Sequence, residues 1–387
     1  MAEWTITTLE ACTDILGDGL HGTPIYSENG EYAFVNGNNL VDGEILIKKD
    51  TKKVDESQYE KYKKTLSNRT ILVSINGTLG NVGTYNSEKI ILGKSACYFN
   101  VKNSVDKDFI YYVVSSPAFR QYLESNATGT TIKNISLKQM REYSFAMPSY
   151  DEQQRISSIL KTIDRKIKGN KEINKNLLQQ LHVLYLRLFC DSAMDTPLGD
   201  VVATTSGGTP SRKHDEYYSD SSICWVKSKE LIGNYIHETE EHINDLAIKK
   251  SSAKLLPEHS VLIAMYGATV GAYGVISKPM TCNQAVCALL CNENYPYTYL
   301  FQIAYESQQK FINLAVGSAQ QNISQVLIKQ LNLHSDLDII QRFHDLALPM
   351  HQEIEFLQAE NMRLSALRDN LLPKLMSGEL DVSDIEL

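Results

Sequence analysis

The sequence predicts an α+β chain of two similar mixed α/β domains separated by two long helices packed as an antiparallel coiled coil, with a pseudo-two-fold internal repeat. Three observations predict it: the chain repeats itself at a period of about 190 residues, each copy punctuates apolar strands with glycine turns, and each copy ends in a long segment with an apolar stripe at helical spacing. At 387 residues, and roughly 150 residues per hydrophobic core, two or three domains are expected. The 43% hydrophobic and 22% charged residues fit a globular protein.

The first match runs without gaps. Tyr32 to Ile45 aligns on Ile223 to Ile236, pairing Phe34 with Trp225, Val35 with Val226 and Leu40 with Leu231. Next, Ile71 to Gly83 aligns on Val261 to Gly274 with one residue inserted. The third match sets Gly129 to Ser136 against Gly317 to Ser324, with Asn134-Ile135-Ser136 and Asn322-Ile323-Ser324 identical. His21-Gly-Thr-Pro24 also pairs with Gly207-Gly-Thr-Pro210.

Strands are expected at Ile45 to Lys48, Ile71 to Ile75, Ile90 to Leu92 and Cys97 to Val101, and again at Val261 to Met265, Gly274 to Ile276 and Val286 to Leu290. Helices are expected from Phe109 to Ser125 and from Pro296 to Leu314. The first long helix carries Ile156, Ile159, Ile163, Ile167, Ile173, Leu177, Leu181, Leu184 and Leu188 at three- and four-residue steps. The second carries Phe343, Leu346, Met350, Ile354, Leu357, Leu364, Leu367, Leu371 and Leu375, and Pro349 predicts a kink or a start there. Narrow stripes of this kind suit helix pairing. The expected domain order is 1–150, a helix over 151–192, a second domain over 193–337, and a helix with its tail over 338–387.

Catalytic signatures are missing. Gly93-Lys94-Ser95 has the tail of a phosphate-binding loop, but Glu88 stands where its first glycine should be. The Asn/Asp-Pro-Pro-aromatic signature of amino-methyltransferases, a Rossmann glycine cluster, His-Glu-x-x-His and Gly-x-Ser-x-Gly do not occur. Of the seven cysteines, Cys282, Cys287 and Cys291 are the closest group, but they lack zinc spacing, and none of the nine histidines sits in a recognisable metal spacing. No metal and no cofactor is therefore expected in this chain. No apolar run is long enough to span a membrane and the amino terminus lacks a signal peptide, so a cytoplasmic location without membrane contact is expected.

What remains is donor-rich turn chemistry at equivalent places in the two copies, suited to phosphate oxygens and base edges. The net charge of −8 argues against a uniformly basic surface but does not exclude nucleic acid, because phosphate contacts depend on where Lys and Arg sit. The candidate DNA-binding residues are Thr23, Lys48, Asn76, Lys133, Asn134 and Ser136 in the first copy. In the second they are Thr209, Ser211, Arg212, Lys213, Lys227, Tyr266, Gln320, Gln321, Asn322 and Ser324. Asn-Ile-Ser could equally cap the helix that follows it.

These residues carry a resemblance. The Gly-Thr-Pro-Ser loop before Trp225-Val226 and the Gly-Thr-Thr-x-x-Asn-Ile-Ser segment are two of its marks. Met147-Pro148-x-x-x-Glu152-Gln153 and the closing Leu371-Leu-Pro-Lys-Leu-Met-Ser-Gly-Glu-Leu380 are two more. Together they resemble the specificity subunits of Type I restriction-modification systems over the whole chain. The start of the second long helix departs from that pattern, with His334 and Asp338-Ile-Ile-Gln341 where Pro and Glu-Gln are expected.

The resemblance implies a non-catalytic DNA-recognition subunit whose two target recognition domains each read one half of a bipartite, asymmetric site on double-stranded DNA. It implies that the helix pair sets the spacer and docks two methyltransferase subunits, joined where a nuclease exists by two restriction/translocase subunits. S-adenosylmethionine would belong to the methyltransferase partner, and ATP and Mg to the restriction partner. The alternative is a coiled-coil scaffold joining two protein-binding domains with no direct DNA contact.

Overall fold

The structure, a computed structural model, describes residues 4–129, 131–315 and 321–382. Its contacts divide the chain into two compact units, Met1–Lys166 with Leu364–Leu387, and Ile167–Arg363, so that each long helix contributes a segment to each unit.

The first unit is built on a four-stranded antiparallel sheet in the order Thr13–Asp18, Ala96–Val101, Thr70–Ser74, Val82–Thr84. Thr70–Ser74 and Ala96–Val101 are buried at every position, which is why they read as mainly apolar runs instead of alternating ones, and two of their buried polar side chains satisfy each other, the Thr70 hydroxyl donating to Asn100 Oδ1. Beside it lies a three-stranded sheet in the order Lys53–Val54, Tyr32–Val35, Ile90–Leu92. Phe99, Phe109, Phe119 and Leu123, all fully buried, join the sheet to the helices Lys107–Ser115 and Pro117–Asn126.

The second unit repeats the plan with a five-stranded sheet in the order Ala203–Ser206, Val286–Leu290, Val261–Ala264, Tyr273–Ile276, Asn234–Ile236. Its smaller sheet runs His242–Ile243, Ile223–Val226, Thr281–Cys282. Tyr299, Phe301 and Phe311 of the helix Tyr297–Leu314 pack on the larger sheet.

Strand register bears out the gapless alignment. Val35 lies beside Leu92 in one parallel pair, and Val226 beside Cys282 in the equivalent pair. Gly43 bridges Gly83 in one unit while Asn234 pairs with Gly274 in the other.

The match of His21–Pro24 to Gly207–Pro210 is two residues out of register. Leu20 N–H donates to the Leu92 carbonyl (2.7 Å), as Gly208 N–H donates to that of Cys282 (2.9 Å). A Cβ on Gly19 or on Gly207 would meet a main-chain carbonyl at 2.1 or 2.2 Å, so these two glycines are the true equivalents.

Two expected elements differ as well. The single helix expected over Phe109 to Ser125 is two, because Ser116 ends one and caps the next ahead of Pro117, which has no N–H to continue the ladder. The strand expected at Ile45 to Lys48 is only Glu44–Ile45.

Both long helices have 40 residues, Tyr150–Phe189 and Leu337–Met376, about 60 Å each at the usual rise. Ser149 and Glu152 close the first helix start reciprocally, the Ser149 N–H donating to the carboxylate at 3.1 Å. Asp336 accepts from Ile339 N–H (3.0 Å) at the second, so that helix starts before Pro349 and runs through it. Buried Ile340, Phe343 and Ala347 hold the turns ahead of the proline in place.

In each unit the two helix segments run antiparallel. In the first, Ile156 and Leu160 share a core with Leu372 and Leu375, and Arg368 donates to Asp164 (2.9 Å), which also accepts from the Tyr112 hydroxyl (2.7 Å). In the second, Leu181, Tyr185 and Phe189 share a core with Ile340, Phe343 and Ile354.

The apolar stripes are not continuous. Ile173, Leu346 and Leu367, all expected inside, are 45%, 48% and 47% exposed. Buried Asn170 and Asn174 take the place of Ile173, and Asn170 donates to Glu360 (2.6 Å) and Asn361 (2.9 Å). A 3.6-residue helix drifts off a fixed seven-residue face, so periodicity alone does not decide which of the neighbouring positions points inward. Among the described residues, no helix is long and apolar enough to cross a membrane.

Candidate nucleic-acid interface

Antiparallel pairing decides where the candidate loops emerge. Thr13–Asp18 and Thr70–Ser74 both pair antiparallel with Ala96–Val101, so they run parallel to each other. Asp18 and Val73 stand level across Cys97. The loops that follow, one carrying Thr23 and the other Asn76, therefore leave the same end of the sheet and flank the turn Gly93-Lys94-Ser95. In the second unit Ser206 and Ile263 stand level across Cys287, and the loops carrying Thr209 to Lys213 and Tyr266 flank Asn283-Gln284-Ala285.

The Asn-Ile-Ser segments are fastened to this end by the same main-chain clamp in both units. Gly77 N–H donates to Lys133 O (3.0 Å) and Ile135 N–H to Ile75 O (2.9 Å); Gly267 N–H donates to Gln321 O (2.8 Å) and Ile323 N–H to Met265 O (2.9 Å). Asn76 lies opposite Asn134, their side-chain amides 3.1 Å apart, and Tyr266 lies opposite Asn322. Gly77 and Gly267 both have φ near +75°, where a side chain would be strained, which is why the two turns share their glycine. The helix-capping alternative belongs to the serines. Ser136 accepts from Gln139 N–H (3.2 Å) and Ser324 from Leu327 N–H (3.1 Å), while Asn134 and Asn322 make the strand-like bridge.

The remaining candidates join the same end by different routes. Asn36-Gly37 packs on the turn at Ser95, whose hydroxyl accepts from Gly37 N–H (2.9 Å). Lys48 reaches that loop, its ammonium 3.4 Å from the Asn38 carbonyl. Lys227 occupies the position equivalent to Asn36 at the start of a matching 3-10 turn.

Glu241 binds both Arg212 and Lys227. Those two cations, Lys227 first, hold its carboxyl below the usual carboxylate range. Arg212 also lies over the Tyr218 ring, 4.3 Å from its centroid. Lys213, Thr209, Ser211 and Thr23 are exposed, and Lys213 has no ion-pair partner among the described residues. Gln321 is exposed too; Gln320 lies outside the described residues.

Sequence reasoning missed Lys94 and Gln284, which stand exposed at equivalent turns in the middle of each loop set. Gly93-Lys94-Ser95 drew notice only as an incomplete phosphate loop, and Gln284 had no motif around it. Gly93 N–H donating to Val35 O (2.8 Å) and Asn283 N–H donating to Val226 O (2.9 Å) mark the equivalence.

The family described as the Type I restriction modification DNA specificity domain matches the chain twice, over residues 19–179 and 193–334. The chain belongs to this family. It is 23% identical over 420 aligned positions to the Type I restriction enzyme MjaIX specificity subunit of Methanocaldococcus jannaschii, covering 99% of this chain and 95% of that protein. It is 28% identical over 109 residues to the EcoR124I/EcoR124II specificity subunit of Escherichia coli, covering 27% of each. Among solved structures it is similar to a Type-I restriction-modification system S subunit from M. genitalium, with a TM-score of 0.60 and 18% identity over 97% of this chain and 96% of that one. As a specificity subunit it has two target recognition domains and is a non-catalytic DNA-recognition component that acts within a restriction-modification complex.

Proposed function

We propose that each unit of this specificity subunit reads one half of a bipartite, asymmetric site on double-stranded DNA with the loops gathered at one end of its main sheet. Lys94, Asn76, Lys133 and Asn134 face one half-site, and Gln284, Tyr266, Gln321 and Asn322 the other. Thr23, Lys48 and Ser136 flank the first set, and Thr209, Ser211, Arg212, Lys213, Lys227 and Ser324 the second. Gln320, next to Gln321 in sequence, is proposed with the second set. The observation that carries this reading is the repeated clamp. The same four main-chain atoms hold both loop sets while the side chains they present differ, Lys133 against Gln321 and Asn76 against Tyr266. A shared frame with different donors suits two different short base sequences.

The long helices, about 60 Å each, would fix the number of unread base pairs, because half-sites on one face of a duplex lie about a helical turn, roughly 34 Å, apart. The helix pair would also seat two methyltransferase subunits in the cytoplasm, which use S-adenosylmethionine, and where a nuclease is present two restriction/translocase subunits that use ATP and Mg. A groove of about 910 Å³ in the second unit supports such docking. It is lined by Leu178, His182, Tyr235, Tyr273, Phe301 and Met362, of which the Tyr, Phe and Met side chains are of the kinds enriched at protein interfaces.

The test is long-read mapping of modified adenines in cells carrying the chain and its methyltransferase. Inserting four residues near Lys171 is expected to change the spacer and leave both half-sites as they were. Altered half-site bases, or no modified motif with two halves, would overturn the reading.

A further inference from the structure

We propose that Cys224, Glu238 and His242 form a binding site for a single zinc-like divalent transition metal in the second unit. Cys224 lies on Ile223–Val226 and His242 on His242–Ile243, and they stand directly opposite each other in the antiparallel pair, so their side chains share one face. The chain between them folds back so that Glu238 comes to the same point. The Cys224 Sγ is 3.0 Å from Glu238 Oε1, the His242 Nε2 is 2.5 Å from that same oxygen, and all three donor atoms lie within 4.8 Å of one another. Ligands of a tetrahedral ion with bonds of about 2.0 to 2.3 Å stand roughly 3.3 to 3.7 Å apart, so small side-chain rotations suffice.

The donor set is one thiolate, one imidazole and one carboxylate, which suits zinc and excludes the all-oxygen preference of magnesium or calcium. Binding would replace the thiol proton, released to solvent, and the hydrogen bond from the imidazole, with water in the fourth position. Lys278 holds the other carboxylate oxygen at 3.3 Å, the kind of outer contact that orients a ligating carboxylate.

The fold does not require these residues. In the first unit the same strand pair places Ala33 opposite Lys53, where the second has Cys224 opposite His242, and the sheet forms there all the same. The consequence of binding follows from what the site encloses. The turn between Glu238 and His242 carries Glu241, which holds Arg212 and Lys227, so a bound ion fastens that turn to the strand bearing Trp225 and fixes the two cations in place. The metal site itself stands or falls independently of what those cations contact.

The experiment is cobalt(II) titration of the full chain after treatment with chelator and reductant. One equivalent is expected to produce a thiolate-to-cobalt charge-transfer band, and zinc to abolish it. C224A, which copies the alanine found at Ala33 in the first unit, and H242N are expected to lose the band, whereas C190S, at the exposed cysteine, is expected to keep it. X-ray absorption of the zinc-loaded wild-type chain, which needs no variant to fold, is expected to show one sulfur at about 2.3 Å with nitrogen and oxygen at about 2.0 to 2.2 Å. No band in the wild type, a band that survives C224A, or a shell without one sulfur overturns the proposal.

Discussion

Phe343→Ala offers the sharpest test of how the helices pack in the second unit. Phe343 is fully buried on the second long helix, its ring centroid 6.1 Å from that of Tyr185 and 5.9 Å from that of Phe189, both on the first. Truncating a buried Phe costs about 3 to 5 kcal/mol, the lost transfer energy plus the cavity left behind. For a cooperative unit of roughly 200 residues, each kcal/mol moves the midpoint by about 2 to 4 °C, so a fall of about 10 °C is expected in one calorimetric transition. Leu346→Ala, three residues on and in the same apolar stripe by sequence, removes a side chain that is 48% exposed and is expected to move the midpoint by about 2 °C or less. Equal shifts in the two variants would refute this packing, and a shift below about 3 °C for Phe343→Ala would refute the burial argument.

Other outcomes follow from individual groups. Lys213→Gln is expected to lower the slope of log K against log salt for duplex binding by about 0.9, one phosphate contact, and Arg212→Gln by less, because Glu241 already neutralises that cation; an unchanged slope for Lys213→Gln removes it from the interface. His351 is buried with its Nδ1 on the Tyr235 hydroxyl (2.7 Å) and with His344 and His259 nearby, and burial pushes its pKa down to about 3. Its unfolded value near 6.5 is higher, so stability is full above pH 6.5 and falls with acid until about pH 3, by about 2 kcal/mol between pH 6.5 and 5. Urea unfolding at pH 7 and 5 should show that loss shrinking in His351→Gln, and an equal loss in both proteins would refute it. Ser136→Ala and Ser324→Ala are each expected to cost about 1 kcal/mol in chemical unfolding, as lost helix caps do.

The repeat was legible because it is carried by apolar strands and glycines whose spacing survives in sequence, as Val35 against Val226 and Gly77 against Gly267 show. The helix pair was legible as a period but not as a face, since Ile173 and the buried Asn170 lie within one turn and only the opposing Glu360 and Asn361 decide between them. The His21–Pro24 match misled because identical letters outweighed geometry; the true equivalents are Gly19 and Gly207, chosen by the closeness of a neighbouring carbonyl. Lys94 and Gln284 were invisible for a related reason. A lone polar residue in a turn carries no signal until strand register brings that turn between two others. Cys224 and His242 stand opposite each other only because two strands pair, and nothing in their separation along the chain announces it.

The loop clamp is made wholly of main-chain atoms: the amides of Gly77 and Ile135 and the carbonyls of Lys133 and Ile75, with their counterparts in the other half. Apart from the amide contact between Asn76 and Asn134 in the first unit, attachment thus places no demand on the identity of the side chains presented beside it. Lys133 and Gln321 lend only their carbonyls to the clamp, so their side chains can be exchanged without loosening it; on the proposed reading, either half could then acquire a new preference while the other keeps its own.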